Sequence, residues 1–128
     1  MNKKRAFISF DFNHDEDLRN LLVGQAKNPD SPFEILDYSL KEPFLGDWKK
    51  KVRDRIKKTE VVIIICGHYT NSAQGVNEEL KISKEEKIPY FLICGRSDNQ
   101  FTKPSSAIND SVYRWTWDNI KDLINGAR

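Results

Sequence analysis

The 128-residue chain has no hydrophobic run that approaches the roughly 20 residues needed to span a membrane. The apolar stretch behind the basic residues 3–5 is also too short for the apolar part of a signal peptide. We therefore expect a cytoplasmic protein with no membrane partner. Charge of one sign is not in excess either, because the chain has 21 Lys and Arg and 19 Asp and Glu. This near-balance gives no support to a nucleic-acid partner.

Cysteine and histidine are scarce. Cys66 and Cys94 each close a predicted strand, and no CxxC motif joins them. In a cytosolic protein we expect these to be reduced, half-buried thiols rather than a disulfide. His14 and His68 both fall in predicted loops, and no further ligand lies at a suitable spacing. The sequence therefore predicts no metal site.

Several familiar site motifs are missing as well. No GxGxxG follows the first predicted strand, and the chain contains neither a GxxxxGK[ST] loop nor a GxSxG elbow. These absences argue against Rossmann-type cofactor binding, P-loop chemistry and serine hydrolysis. A phospho-receiver domain would need an aspartate at the end of its third strand. This chain has Cys66 and Gly67 there, so a receiver-like regulator is disfavoured.

What is present is an alternation of short apolar runs with amphipathic stretches, which is typical of βαβ units in a parallel sheet. Hydrophobic residues make up 38% of the chain, enough for one core, so we predict a single domain over residues 1–128. We predict strands at 6–10, 33–38, 61–66, 89–94 and 111–115. We predict helices after Asp15, from Asp47 to Lys58, over 76–83 and over 118–125, the last closed by Gly126.

Ligands of parallel α/β sheets bind at the carboxyl ends of the strands. We therefore expect functional residues in the turns after residues 10, 38, 66 and 94, and at the start of the third helix. Glu79 is the main candidate there, on what we predict to be the first turn of that helix. A structural interpretation stays open, because Glu near a helix N-terminus is favoured by the helix dipole. Glu78 competes with Glu79, but a rotation of about 100° per residue lets only one of them face a cleft.

The order of these segments resembles a known family. RAFISF at 5–10, EILDYS at 34–39, VVIIIC at 61–66 and NEEL at 77–80 resemble the TIR-like domains related to the signalling subunit of bacterial Thoeris antiphage systems. The likeness extends over roughly residues 5–126. It implies a three-layer, flavodoxin-like α/β fold with a roughly five-stranded parallel sheet.

The resemblance also implies that one glutamate is functional. The family pattern W-x-x-x-E-[LI] is matched at its end by Glu79 and Leu80, whereas Gln74 and Gly75 stand where the aromatic residue is common. Many relatives cleave the bond between nicotinamide and ribose in NAD, so the resemblance implies an enzyme with NAD as substrate and no separate cofactor. Glu79 would be the catalytic residue.

The same resemblance implies the surroundings of that glutamate and the role of the protein. Phe10, Asp11 and Ser39 would line the ribose and nicotinamide pocket by their positions. An ADP-ribose-type product, whether linear, cyclic or conjugated, would pass to a separate effector protein in antiphage defence. Self-assembly of the domain is a further expectation.

Two alternative functions stay open at this point. TIR-like domains also act as non-catalytic interaction modules, and the predicted loop at 39–46, with Phe44 and Leu45, suits an interface as well as a lid. A nucleoside deoxyribosyltransferase-like enzyme would also use a glutamate, there as its nucleophile. The segments at 5–10 and 79–80 fit TIR-like domains better.

Overall fold

A computed structural model of the protein describes residues 3–35, 47–98 and 100–126. Within these ranges one sheet contains the five parallel strands β1 (Lys4–Ser9), β2 (Phe33–Ile35), β3 (Val61–Cys66), β4 (Tyr90–Cys94) and β5 (Val112–Arg114). Their order across the sheet is β2-β1-β3-β4-β5, which is the flavodoxin-like order. The fold class that the sequence predicts is therefore confirmed.

Helices connect the strands and cover the sheet. In the described ranges they are α1 (Glu16–Ala26), α2 (Trp48–Lys57), α3 (Gln74–Glu85) and α4 (Trp117–Ile124). Two short 3-10 turns, Thr70–Ser72 and Ser105–Ala107, follow β3 and β4. The predicted helices and strands are present, with ends displaced by one or two residues. Residues 36–46, which include the end of the predicted second strand, Ser39 and the loop with Phe44 and Leu45, lie outside the described residues.

The central strand β3 explains why the core has two halves. All six of its side chains are buried, because β1 and β4 flank the strand and helices cover both faces. Its odd positions pack with α1 and α4, and its even positions pack with α2 and α3. Each fully buried isoleucine here contributes on the order of 2 kcal/mol through the hydrophobic effect. The continuous apolar run without polar alternation is the sequence signal of such a strand.

Helical spacing of the apolar residues decides which face of each helix is buried. In α2 the buried residues are Trp48, Val52 and Ile56, at intervals of four. The lysines between them, at positions 49–51, are exposed and belong to the solvated face of the helix. Within the described part of the chain, no helix has the length and apolar character needed to cross a membrane.

The two cysteines close β3 and β4 and occupy neighbouring positions across the sheet. Both thiols are free, as predicted, but both are buried. The expectation of half-buried side chains is wrong, because Cys66 packs in the half of the core that contains α2 and α3, and Cys94 is only 9% exposed. Burial raises the pKa of Cys66 to about 12, so its thiol stays protonated at neutral pH and does not serve as a nucleophile.

Candidate functional site

The carboxyl ends of β1 and β3 mark the point where the strand order of the sheet reverses. These two strands are neighbours, but the chain leaves β1 toward β2 on one side and β3 toward β4 on the other. Such a reversal of strand order opens a space between the loops, where flavodoxin-like proteins bind ligands. Ser9, the last residue of β1, lies next to Ile64 of β3 in register. The predicted location of the site is thus at the point where the strand order reverses.

Glu79 is buried beside the carboxyl end of β1. It lies on α3, only 6% of its surface is exposed, and its Oε1 accepts a hydrogen bond of 2.6 Å from the Ser9 hydroxyl. Burial raises the pKa of Glu79 from an ordinary 4.5 to about 8, and the hydrogen bond from Ser9 acts in the opposite direction. In the free protein the Glu79 carboxyl is therefore mostly protonated at neutral pH.

The position of Glu79 on its helix corrects one prediction. Helix α3 begins at Gln74, so Glu79 lies on the second turn and not on the first. The residue before the helix is Ala73, whose side chain cannot cap it, so the usual Ser, Thr or Asp signal of a helix start is missing. The dipole of the helix terminus therefore does not explain Glu79, since that effect fades after the first turn.

Glu78 and Glu79 face different neighbours, as the rotation of the helix predicts. The Glu78 carboxylate lies 3.5 Å from Lys49 of α2 and 3.6 Å from Lys81 on its own helix. These are partly exposed ion pairs of the kind that contributes little to stability. Of the two carboxylates, Glu79 is the one that reaches the end of β1.

The structure places Phe10 and Asp11 directly after β1. The Phe10 ring is buried in the half of the core that contains α1 and α4, and it lies 4.4 Å from the ring of Phe12. Asp11 is also buried, and its carboxylate accepts a hydrogen bond from the Asn13 amide and contacts Nδ1 of His14 at 2.7 Å. The Phe10 side chain thus packs on the opposite face of the sheet from α3, while Asp11 organises its own turn.

Sequence reasoning missed a further buried carboxylate, that of Asp15. Only 1% of Asp15 is exposed, and its Oδ1 accepts a hydrogen bond of 2.9 Å from Arg96, which also binds Asp17. Its Oδ2, which has no hydrogen-bond partner within the described residues, lies against Gly67. Burial raises the pKa of Asp15, although Arg96 opposes the shift. The pair joins the loop after β4 to the start of α1, a contact between residues too distant in sequence to predict.

Sequence reasoning also did not predict that the rings of His14, His68 and Tyr69 lie together at this edge of the sheet. The rings of His14 and Tyr69 lie 4.4 Å apart, and the His68 ring stands edge-on to Tyr69 at 6.3 Å. His14 belongs to the loop after β1, whereas the other two belong to the loop after β3. Each loop was predicted to carry ligand-binding residues, but only the adjacency of β1 and β3 makes the rings neighbours.

The fold and this edge of the sheet define a flavodoxin-like α/β domain with a buried glutamate on the helix after its central strand, the arrangement that the TIR-like resemblance implies. The family described as Thoeris protein ThsB, TIR-like domain, matches residues 7–100, and the chain belongs to this family. Membership supports a TIR-like role in antiphage defence. A comparison with curated proteins finds no match.

This sequence departs from the pattern W-x-x-x-E-[LI] at Gln74 and Gly75, where an aromatic residue is common. The structure shows which side chain lies next to Gly75. A side chain on Gly75 would begin 3.6 Å from Cζ2 of Trp48, a buried residue of α2. Gly75 precedes Glu79 by one turn of α3, on the same face of the helix. An aromatic ring therefore covers this part of α3, although it is contributed by α2 and not by position 75.

Proposed function

We propose that this domain cleaves the bond between nicotinamide and ribose in NAD and that Glu79 is its catalytic residue. The observation that carries the proposal is the buried Glu79 carboxyl at the carboxyl end of β1, held by the Ser9 hydroxyl. The name of the family does not indicate catalysis, so the support comes from this geometry together with the activity of TIR-like relatives.

One carboxylate suffices for this reaction. The nicotinamide ring of NAD carries a positive charge, so the electron pair of the breaking C–N bond neutralises it, and the ring departs without a general acid. The barrier is the ribosyl cation, which resembles the oxocarbenium ion of glycoside hydrolysis. A carboxylate facing that cation in a site of low dielectric constant stabilises it strongly. Attack by water at the same carbon, with loss of a proton, then gives ADP-ribose.

The raised pKa of Glu79 is compatible with this role. About one tenth of the side chain is ionised at pH 7 if its pKa is about 8. The positive charge of bound NAD favours the carboxylate, because an opposite charge nearby lowers the pKa of an acid. Binding of the cationic substrate would therefore ionise Glu79, and Ser9 would orient it. We retain Phe10, Asp11 and Ser39 as proposed residues of the ribose and nicotinamide pocket.

The biological part of the proposal concerns the product. An ADP-ribose-type nucleotide released by this domain would act on a separate effector protein in antiphage defence. Cyclisation or conjugation would require an internal hydroxyl, a ring nitrogen or an added nucleophile in place of water at the ribosyl carbon. Mass spectrometry of the adenine-containing product distinguishes these outcomes.

The test is incubation of the purified protein with NAD at high protein concentration, which favours any assembly that completes the site. Wild type and Glu78→Gln are expected to release nicotinamide, and Glu79→Gln is expected to reduce the rate by at least about a hundredfold, as the loss of one electrostatic group does in other enzymes. Glu78→Gln is the matched control, because it changes the adjacent carboxylate in the same way. Absence of nicotinamide with wild type would contradict the proposal and favour a non-catalytic interaction module.

A further inference from the structure

A cavity of about 450 Å³ lies beside the carboxyl ends of β4 and β5. Its walls come from α1, from the loop after β4 and from residues 114–116 at the end of β5. This volume is within the range of small-molecule sites in proteins. Neither Ser9 nor Glu79 lines the cavity, and α1 packs on the opposite face of the sheet from α3. A ligand in this cavity would therefore be separate from any group that Glu79 contacts.

The Arg114 side chain supplies a positive charge to the cavity. It is exposed, and its guanidinium forms no ion pair or hydrogen bond with another residue of the described ranges. The other guanidinium of the wall, that of Arg96, is already bound to Asp15 and Asp17. Within the same ranges, no Asp or Glu lines the cavity. Arg114 is therefore available to an anionic ligand, and guanidinium groups bind phosphate and carboxylate through paired hydrogen bonds.

Two hydroxyl groups add hydrogen-bond donors to the same cavity. The Thr116 amide donates a hydrogen bond of 3.1 Å to the Arg114 carbonyl, so the chain bends sharply where Thr116 joins the wall. The Thr116 hydroxyl oxygen accepts a hydrogen bond from the Asn119 amide, which leaves the hydroxyl proton for a ligand. The exposed Ser97 hydroxyl belongs to the wall formed by the loop after β4. Donors in this number suit a phosphate, with its three acceptor oxygens, better than a carboxylate, with two.

The indole ring of Trp115 gives the cavity a planar apolar wall. The ring is partly exposed and packs against the half of the core that contains α1 and α4. Its Nε1 donates a hydrogen bond of 3.0 Å to Oε1 of Gln25, which fixes the orientation of the ring. Leu21, which is 62% exposed, adds apolar surface to the wall from the same helix as Gln25. A ring ordered in advance loses little conformational entropy on binding, so this wall suits an aromatic base.

We propose that this cavity binds a nucleoside monophosphate, with its base on Trp115 and its phosphate on Arg114. Each half of this ligand meets one half of the wall. A free phosphate would leave the indole and Leu21 uncovered, whereas an uncharged nucleoside would leave Arg114 without a partner. Because Trp115 and Arg114 are consecutive residues with long side chains, they can reach two groups that are separated by a single ribose. The proposal goes beyond NAD cleavage and does not depend on it.

The first test is titration of AMP, adenosine and inorganic phosphate into the whole chain, followed by NMR. The indole N–H signal of Trp115 reports on the cavity. AMP should shift this signal and bind at least about tenfold more tightly than adenosine or inorganic phosphate, because only AMP contains both the base and the anion. Equal affinity for AMP and inorganic phosphate would overturn the proposal, as would AMP shifts confined to residues outside the cavity.

The second test uses matched variants. Arg114→Gln should weaken AMP binding at least about tenfold and leave adenosine binding unchanged. Arg5→Gln removes the same charge from an exposed arginine at the opposite edge of the sheet, and should bind AMP as wild type does. Trp115→Leu should weaken AMP binding about tenfold, whereas Trp117→Leu, a change outside the cavity wall, should not. Equal AMP affinity in wild type and Arg114→Gln would overturn the proposal, and Arg114 is exposed enough for this variant to fold.

A third variant separates this proposal from NAD cleavage. Glu79→Gln should leave the AMP-induced shift of the Trp115 signal as in wild type, because Glu79 does not line the cavity. Loss of that shift in Glu79→Gln would show that AMP binds at the glutamate, and would overturn a separate site. If wild type releases no nicotinamide, the proposed function fails, and the AMP titration still decides the cavity proposal by the same criteria.

Discussion

Replacing Glu79 by glutamine should stabilise the fold at neutral pH, although the same change should slow the proposed reaction. Glutamine has nearly the same shape but stays neutral, whereas the Glu79 carboxyl has a pKa of about 8 in the folded protein and an ordinary value of 4.5. The folded state therefore keeps a proton that the unfolded state releases between pH 4.5 and pH 8. Wild type has the full stability of this group below pH 4.5 and loses it as the pH rises through that window. The glutamine variant has no such loss.

The magnitude follows from the same two pKa values. At pH 7 the ordinary carboxyl is about 2.5 pH units above its pKa, and each unit corresponds to about 1.4 kcal/mol. Glu79 thus costs the folded state about 3 kcal/mol at pH 7 and only about 1 kcal/mol at pH 5. A changed hydrogen bond with Ser9 adds an offset that does not depend on pH. The change with pH is therefore the diagnostic quantity.

Urea denaturation at pH 5, 6 and 7, followed by tryptophan fluorescence, measures this quantity. The unfolding free energy of Glu79→Gln minus that of wild type should increase by about 2 kcal/mol from pH 5 to pH 7. Other titrating groups are common to both proteins and cancel in the difference. Glu78→Gln, at a partly exposed ion pair, should change by less than about 0.5 kcal/mol over the same range. A difference for Glu79→Gln that is constant with pH would refute the reasoning.

Two further predictions concern the pH profile and one close contact. Because only the ionised carboxylate stabilises the ribosyl cation, kcat/KM for nicotinamide release should rise about tenfold per pH unit below pH 8 and level off above it. Ser9→Ala removes the hydrogen bond that lowers the pKa of Glu79, so the midpoint of the pH profile should move to higher pH. A pH profile that this variant leaves unchanged would contradict the assignment of the profile to Glu79. Gly67→Ala would place Cβ 2.3 Å from Asp15 Oδ2, so thermal and urea denaturation should show a loss of at least about 2 kcal/mol. In the matched variant Gly24→Ala the new Cβ enters open space within α1, so its unfolding free energy should increase by about 0.5–1 kcal/mol. Equal effects of the two variants would rule out the contact with Asp15 as the cause of the loss.

The regular elements were predictable because their signals are local. Residues 61–66 form a run of β-branched residues ending in cysteine, and the predicted strand coincides with β3. The buried positions of α2, Trp48, Val52 and Ile56, follow an interval of four, which is the local signal of a helix. The start of α3 was harder to predict, because Ala73 provides no capping side chain. The burial of Glu79 follows from that helix packing on the end of β1, and residue type alone could not distinguish it from an exposed glutamate.

The sequence by itself determined the class of the fold, the order of its elements and the edge of the sheet at which the loops after the strands lie. These properties depend on hydrophobic periodicity and on the rule that parallel strands end at one edge. Only the tertiary structure decided which side chains meet there. Contacts such as Ser9 with Glu79, Asp15 with Arg96 and His14 with Tyr69 join separate loops and elements. They form because β1, β3 and β4 lie side by side in the sheet, and the same packing removes Glu79 from water and raises its pKa.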